Sequence, residues 1–176
     1  MRARYTRSLG LPVLDEETGE IVGTLSGMVL HPDTGAVEGF FVRTPGVFWH
    51  EELFLPSADI LHWGLRVTVR HRDVLSPIDD LVRLRTILDG HRPILGQRMV
   101  TESGRTLGRC CDVQFSTNDF RLEWLFPRRF LRTGIPVPAS QILEVTPEAI
   151  ILRDTLLPSK EAQEAVPLLP QMPEVA

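Results

Sequence analysis

Three arginines within five residues, Arg128, Arg129 and Arg132, enclose Phe130 and Leu131. Guanidinium groups at that density suit carboxylates or phosphates, and an aromatic ring among them adds a stacking surface. The first half of the chain carries a counterpart of opposite sign, Phe48-Trp49-His50-Glu51-Glu52. Two readings of these loops stand open. In one, they are variable loops whose Phe48 and Phe130 tuck into the adjoining cores. In the other, Trp49, Glu51 and Glu52 and the arginines Arg128, Arg129 and Arg132 are contact surfaces. Such surfaces would meet each other, a second copy of the chain, an acidic protein or RNA.

Covalent and metal chemistry find less support. His31, His50, His62, His71 and His91 are scattered, with no pair at metal-ligand spacing and no cysteine nearby in sequence to complete a set. No Gly-x-Ser-x-Gly elbow and no Cys-His signature occurs. Gly23 to Gly27 and Gly104 to Gly108 have phosphate-loop spacing, yet neither is followed by Lys-Ser/Thr. Asp15, Glu16, Glu17 and Glu20 read as solvated charge around a turn. The expectation is therefore no catalytic residue, no cofactor and no metal. A small metal-dependent enzyme with a cleft between two domains is the competing class.

The two cysteines, Cys110 and Cys111, are adjacent. One adjacent pair builds neither a disulfide framework nor a zinc knuckle, so two buried or half-buried free thiols are expected. The formal net charge of −4 is unevenly spread. Residues 1–90 carry 9 Arg against 13 acids, whereas residues 91–160 carry 9 Arg and one Lys against 7 acids. No apolar run approaches the roughly 18 residues that span a bilayer. The basic N-terminus is not followed by a signal-length apolar segment, and a cytoplasmic protein without an integral membrane segment is expected.

The elements that must position these residues are short and mostly extended. Pro12 to Leu14, Ile21 to Leu30, Val37 to Val42, Phe48 to Leu55 and Leu65 to Val69 read as strands between turn signals. Pro56 to Ile60 reads as a tight turn. In the second half, Leu107, Cys111, Val113 and Phe115 alternate onto one face, and Phe120, Leu122, Trp124 and Phe126 do so after the Ser116 to Asp119 turn. Between the halves, Ser76 and Pro77 open one helix that Gly90 and Pro93 close. Its stripe of Ile78, Leu81, Val82, Leu84 and Leu88 should lie across one half or between the two. From Leu157 onward the sequence is Pro-rich and reads as a flexible tail.

The two halves repeat one another. Gly10, Gly19 and Gly23 match Gly96, Gly104 and Gly108, at an offset of about 85 residues with one deletion. Leu55-Pro56 with Ile60 matches Val137-Pro138 with Ile142. This pattern resembles the PRC-barrel family, which includes the barrel of the photosynthetic reaction-centre H subunit and the C-terminal domain of RimM ribosome-maturation factors. The second half carries it as Leu95-Gly96, Val100, Gly104, Leu107-Gly108 and Asp112-Val113. The first carries it as Leu9-Gly10, Val13, Gly19, Val22-Gly23 and Gly27-Met28, with Gly27 in place of the acidic residue.

The resemblance implies a mainly β chain of two tandem small antiparallel PRC-type β-barrels joined by a short helix. The expected organisation is residues 1–75 for the first unit, 76–92 for the linker helix, 93–156 for the second unit and 157–176 for the tail. It implies docking or assembly on a protein or ribonucleoprotein complex rather than catalysis. A protein partner is expected, with self-association or RNA as further possibilities. The alternative is an RNA- or ribosome-associated factor acting through the Arg-rich second half.

Overall fold

A computed structural model describes residues 1–45, 52–77, 82–130 and 132–154. The chain opens with strand β1 (Arg2–Arg4) and a single helical turn, α1 (Tyr5–Ser8). The first sheet follows: β2 (Pro12–Asp15), β3 (Ile21–Leu30), β4 (Val37–Arg43), β5 (Glu52–Pro56), β6 (Ile60–Trp63) and β7 (Val67–Val69). Its strand order is β5-β4-β3-β2-β7-β6. Helix α2 (Val82–Asp89) leads to the second sheet. That sheet holds β8 (Arg98–Thr101), β9 (Thr106–Ser116), β10 (Leu122–Arg129), β11 (Arg132–Thr133), β12 (Val137–Pro138), β13 (Ile142–Val145) and β14 (Ala149–Leu152). Its order is β11-β10-β9-β8-β14-β13, with β12 on β10 and β1 on β9.

The chain is mainly β, in two sheets, but the expected closed barrels are not found. Each sheet is an open path, ending at β5 and β6 in the first and at β11 and β13 in the second. Pro56 and Pro138 bring no N–H to a ladder. The 3-10 turns that follow them, Ser57–Asp59 and Ala139–Gln141, lead into β6 and β13, which pair at the other end of each sheet.

The ladders of the two sheets share one register. Thr24↔Arg43, Leu25↔Val42, Gly27↔Phe41 and Met28↔Phe40 in the first sheet correspond to Arg109↔Arg128, Cys110↔Pro127, Asp112↔Phe126 and Val113↔Leu125 in the second. The matched glycines have physical reasons. Gly19 and Gly104 hold φ of 72° and 83° in equivalent turns. A Cβ on Gly23 would lie 2.7 Å from the carbonyl oxygen of Arg43, and one on Gly108 would lie 2.5 Å from that of Arg128.

Both ladders also skip a residue at matching places, Ser26 and Cys111. An extra residue reverses the alternation beyond it, which corrects the expected faces. Cys110 is buried with Val113 and Phe115, while Cys111 is exposed. A second skip at Glu123 sends Leu122 and Leu125 into the main core and leaves Trp124 and Phe126 as a separate cluster.

The main core runs through both sheets. Phe40 and Trp63 of the first half meet Phe115 and Phe120 of the second, with ring centroids 5.4 to 6.3 Å apart. The halves also exchange backbone bonds around the Ala36↔Arg121 bridge. Val37 N–H donates to Phe120 O at 2.7 Å and Leu122 N–H to Gly35 O at 2.8 Å. Equivalent residues of the two halves thus face one another, as across an isologous interface.

Helix α2 lies on the first sheet: Leu84 and Ile87 pack with Val29, Phe54 and Phe41. The backbone of Ser76, the expected cap, pairs with that of Phe54. The expected helix positions 78–81 lie outside the described residues, as does the Pro-rich tail from 157. Strand β6 is an element that the sequence pattern did not reveal.

Candidate interaction surface

The expected contact residues of the second half come together on one hairpin. Strand β10 carries Arg128 and Arg129 to the turn, and β11 returns with Arg132. Arg129 stands opposite Arg132, and Arg128 opposite Thr133. The hairpin is held by Gly134 N–H, which donates to Pro127 O at 2.8 Å. Phe130 takes a left-handed φ of 55° at the turn and is 91% exposed, so its ring is not tucked into the core. Ile135 is also exposed, at 71%. Among the described residues, none of the three arginines forms an ion pair.

Two further arginines share the face of Arg128, while Arg129 and Arg132, one position along, stand on the opposite face of the hairpin. Arg128 is paired directly across the ladder with Arg109, and Arg109 with Arg98. Residues directly opposite in an antiparallel ladder point to the same face. Arg98, Arg109 and Arg128 therefore form a row across β8, β9 and β10, all exposed. Like charges so placed oppose one another. Among the described residues, Arg109 alone of the three has a side-chain partner, donating to Gly96 O at 2.9 Å. Sequence reasoning missed Arg98 and Arg109 because neither lies in a basic run. The glycine match, carried strand by strand, would have aligned Arg109 and Arg128 as Thr24 and Arg43 of the first half.

The same register in the first half is compensated. Arg43 stands opposite Glu52, whose Oε1 accepts a 2.7 Å bond from Ser26 Oγ. Trp49 and Glu51 lie outside the described residues, so the acidic counterpart is placed at Glu52 alone.

Other polar groups are engaged within the fold. Asp112, almost fully buried, accepts from Arg4 Nε at 2.8 Å, Thr6 N–H at 3.0 Å, Thr6 Oγ1 at 2.7 Å and Val113 N–H at 2.9 Å. Arg4 also stacks on Phe126, 3.6 Å from the ring centroid. Asp15 is held below the usual carboxylate range by the N–H of Thr18, then those of Arg72 and Glu17. Asp33 is lowered chiefly by the bidentate Arg92, at 2.6 and 2.9 Å. Asp154 is lowered by Ser103, which donates from both Oγ and N–H, and by Thr101. Burial pushes the Cys110 thiol up to about 12.

A cleft of about 380 Å³ lies between the halves, lined by Asp33, Gly35, Leu122, Ser140, Glu144 and Val145 among others. It contains no histidine or cysteine to pair with Ser140. Among the described residues, no three His, Cys, Asp or Glu side chains are grouped to hold a metal ion. No helix of the described residues is long and apolar enough to cross a membrane.

Residues 2–85 match the PRC-barrel domain family. This stretch of the chain is a PRC-barrel domain. No curated protein matches the chain. The PRC-barrel match takes in the whole first sheet and also β1, which pairs into the second. It ends before β8, so the arginine row lies outside the matched residues.

Proposed function

We propose that this chain is a non-enzymatic docking module, in which a PRC-barrel domain and a second, PRC-like half present a basic hairpin edge to an acidic partner. PRC-barrel membership favours binding and assembly in general. The shared ladder register supports reading residues 93–156 as a second unit of the same kind, joined to the first through 76–92. A cytoplasmic setting belongs to the same reading.

The observation that carries the contact assignment is Phe130, 91% exposed between arginines that have no described ion-pair partner. Charge of this kind contributes to association rate and orientation more than to affinity. The experiment is affinity capture with the wild type and with Arg128→Glu/Arg129→Glu/Arg132→Glu. A specific partner should be retained by the first and lost by the second. Equal capture by both overturns the contact assignment. Sedimentation of both proteins shows whether the partner is a second copy, and stoichiometric zinc or iron in the purified chain would favour the enzyme class instead.

A further inference from the structure

Resting on the docking reading above, we infer that the ligand of this surface is a single-stranded nucleic acid, bound by its phosphates along Arg98, Arg109 and Arg128 and by a base on Phe130. Three features carry the assignment. First, the arginines form a row, not a cluster. Neighbouring strands are about 4.8 Å apart, so the row from Arg98 to Arg128 presents positive charge at regular steps over about 10 Å. A phosphodiester strand likewise presents negative charge at regular steps.

Second, the row is built against stability. Directly opposed like charges are unfavourable, and at the equivalent register the first half has Thr24, then Arg43 facing Glu52. The whole chain is acidic, at −4, so the row does not follow from overall composition. An arrangement that costs stability and answers no internal charge is what an external anion would neutralise.

Third, the hairpin at the end of the row holds an aromatic ring out in solvent. Phe130 sits next to Arg129 with a backbone conformation that non-glycine residues seldom take. A ring so displayed beside guanidinium groups offers a stacking platform for an unpaired base. An acidic peptide would satisfy the arginines but has no flat face to match the ring.

The test measures binding of the full chain to a fluorescent oligouridylate across a salt series starting at roughly 50 mM. Binding should weaken with salt, with a slope of about 0.7 per phosphate neutralised. Arg98→Gln/Arg109→Gln should reduce that slope by about 1.4, two phosphates at that rate. The same variant should melt close to the wild-type temperature, because relief of the opposed charges offsets loss of the Arg109 bond to Gly96 O; this separates lost binding from lost fold. Phe130→Ala should weaken binding roughly tenfold with the slope unchanged.

No oligonucleotide binding at the lowest salt overturns the inference. So does a slope indifferent to Arg98 and Arg109, or tighter binding to polyglutamate or to vesicles containing phosphatidylglycerol. If the arginine triple variant still loses its captured partner while the oligonucleotide does not bind, the docking reading stands and the nucleic-acid inference falls.

Discussion

Arg4 and Asp112, 108 residues apart in sequence, form a close ion pair at 2.7 and 2.8 Å. The pair seals the N-terminal arm onto the outer face of the second sheet. The same carboxylate takes both donors of Thr6, so one buried group anchors β1 and α1 together. Asp112→Ala strands Arg4 and removes the acceptor for Thr6. It should cost about 3 kcal/mol, read by urea denaturation. Amides 2–8 should lose hydrogen-exchange protection before the rest of the sheet does. Uniform loss of protection along the chain would contradict the anchoring role.

The aromatic group between the halves gives a second prediction. Phe115 is fully buried against Phe40 and Trp63. Phe115→Ala should cost about 3–5 kcal/mol. Because one core runs through both sheets, wild-type unfolding should be a single transition by fluorescence and by far-UV circular dichroism. Two separated transitions in the wild type would mean that the halves fold independently.

Much of this architecture was legible in the sequence. Ile21 to Leu30 is β3 from end to end, and the three glycine pairs mark equivalent turns and close approaches. What could not be read were the events that break periodicity. The bulge at Cys111 inverts the faces of β9, and no residue type there announces it. Strand β1 was hidden because it is too short for a pattern and pairs with a partner more than 100 residues away. The arginine row was hidden for the same reason: it runs across strands, perpendicular to the chain.

The two cysteines should behave oppositely. Cys110 is buried with its thiol pushed up to about 12, whereas Cys111 is exposed. At mildly alkaline pH the native chain should titrate with one equivalent of a thiol reagent, and the denatured chain with two. Cys111→Ser should abolish the native reaction and Cys110→Ser should leave it intact. Two fast-reacting thiols in the native chain would show that Cys110 is open to solvent.

Acid sensitivity follows from the lowered carboxylates. Asp15, Asp33 and Asp154 all titrate below the ordinary value of 3.8. A carboxyl whose folded pKa is depressed contributes stability that is complete above its unfolded pKa. That contribution is lost as pH falls from about 4 through the folded value. Melting temperature should therefore drop on acidification over that range. Asp15→Asn should melt lower than the wild type at neutral pH and show a flatter acid decline. An unchanged acid decline in Asp15→Asn would remove that carboxylate from the account.

Gly104 and Gly108 separate two reasons for glycine. Gly104 has a positive φ but open space at its Cβ, whereas Gly108 has a positive φ and the backbone of Arg128 against it. Gly104→Ala should cost about 1–2 kcal/mol for the left-handed backbone. Gly108→Ala must also displace β10 and should cost distinctly more, by denaturant titration. Equal costs would place the whole effect in the backbone angle.

The exchange of bonds around Ala36 and Arg121 has a consequence for how such a chain can diverge. Were each half a separate polypeptide, the same contact would form a symmetric pair, its assembly would depend on concentration, and every substitution would appear twice. With both halves on one chain, that contact is intramolecular at any dilution, and either side can vary alone. One half can keep Arg43 facing Glu52 while the other lines up Arg98, Arg109 and Arg128, so that two surfaces of common register carry different charge within one molecule.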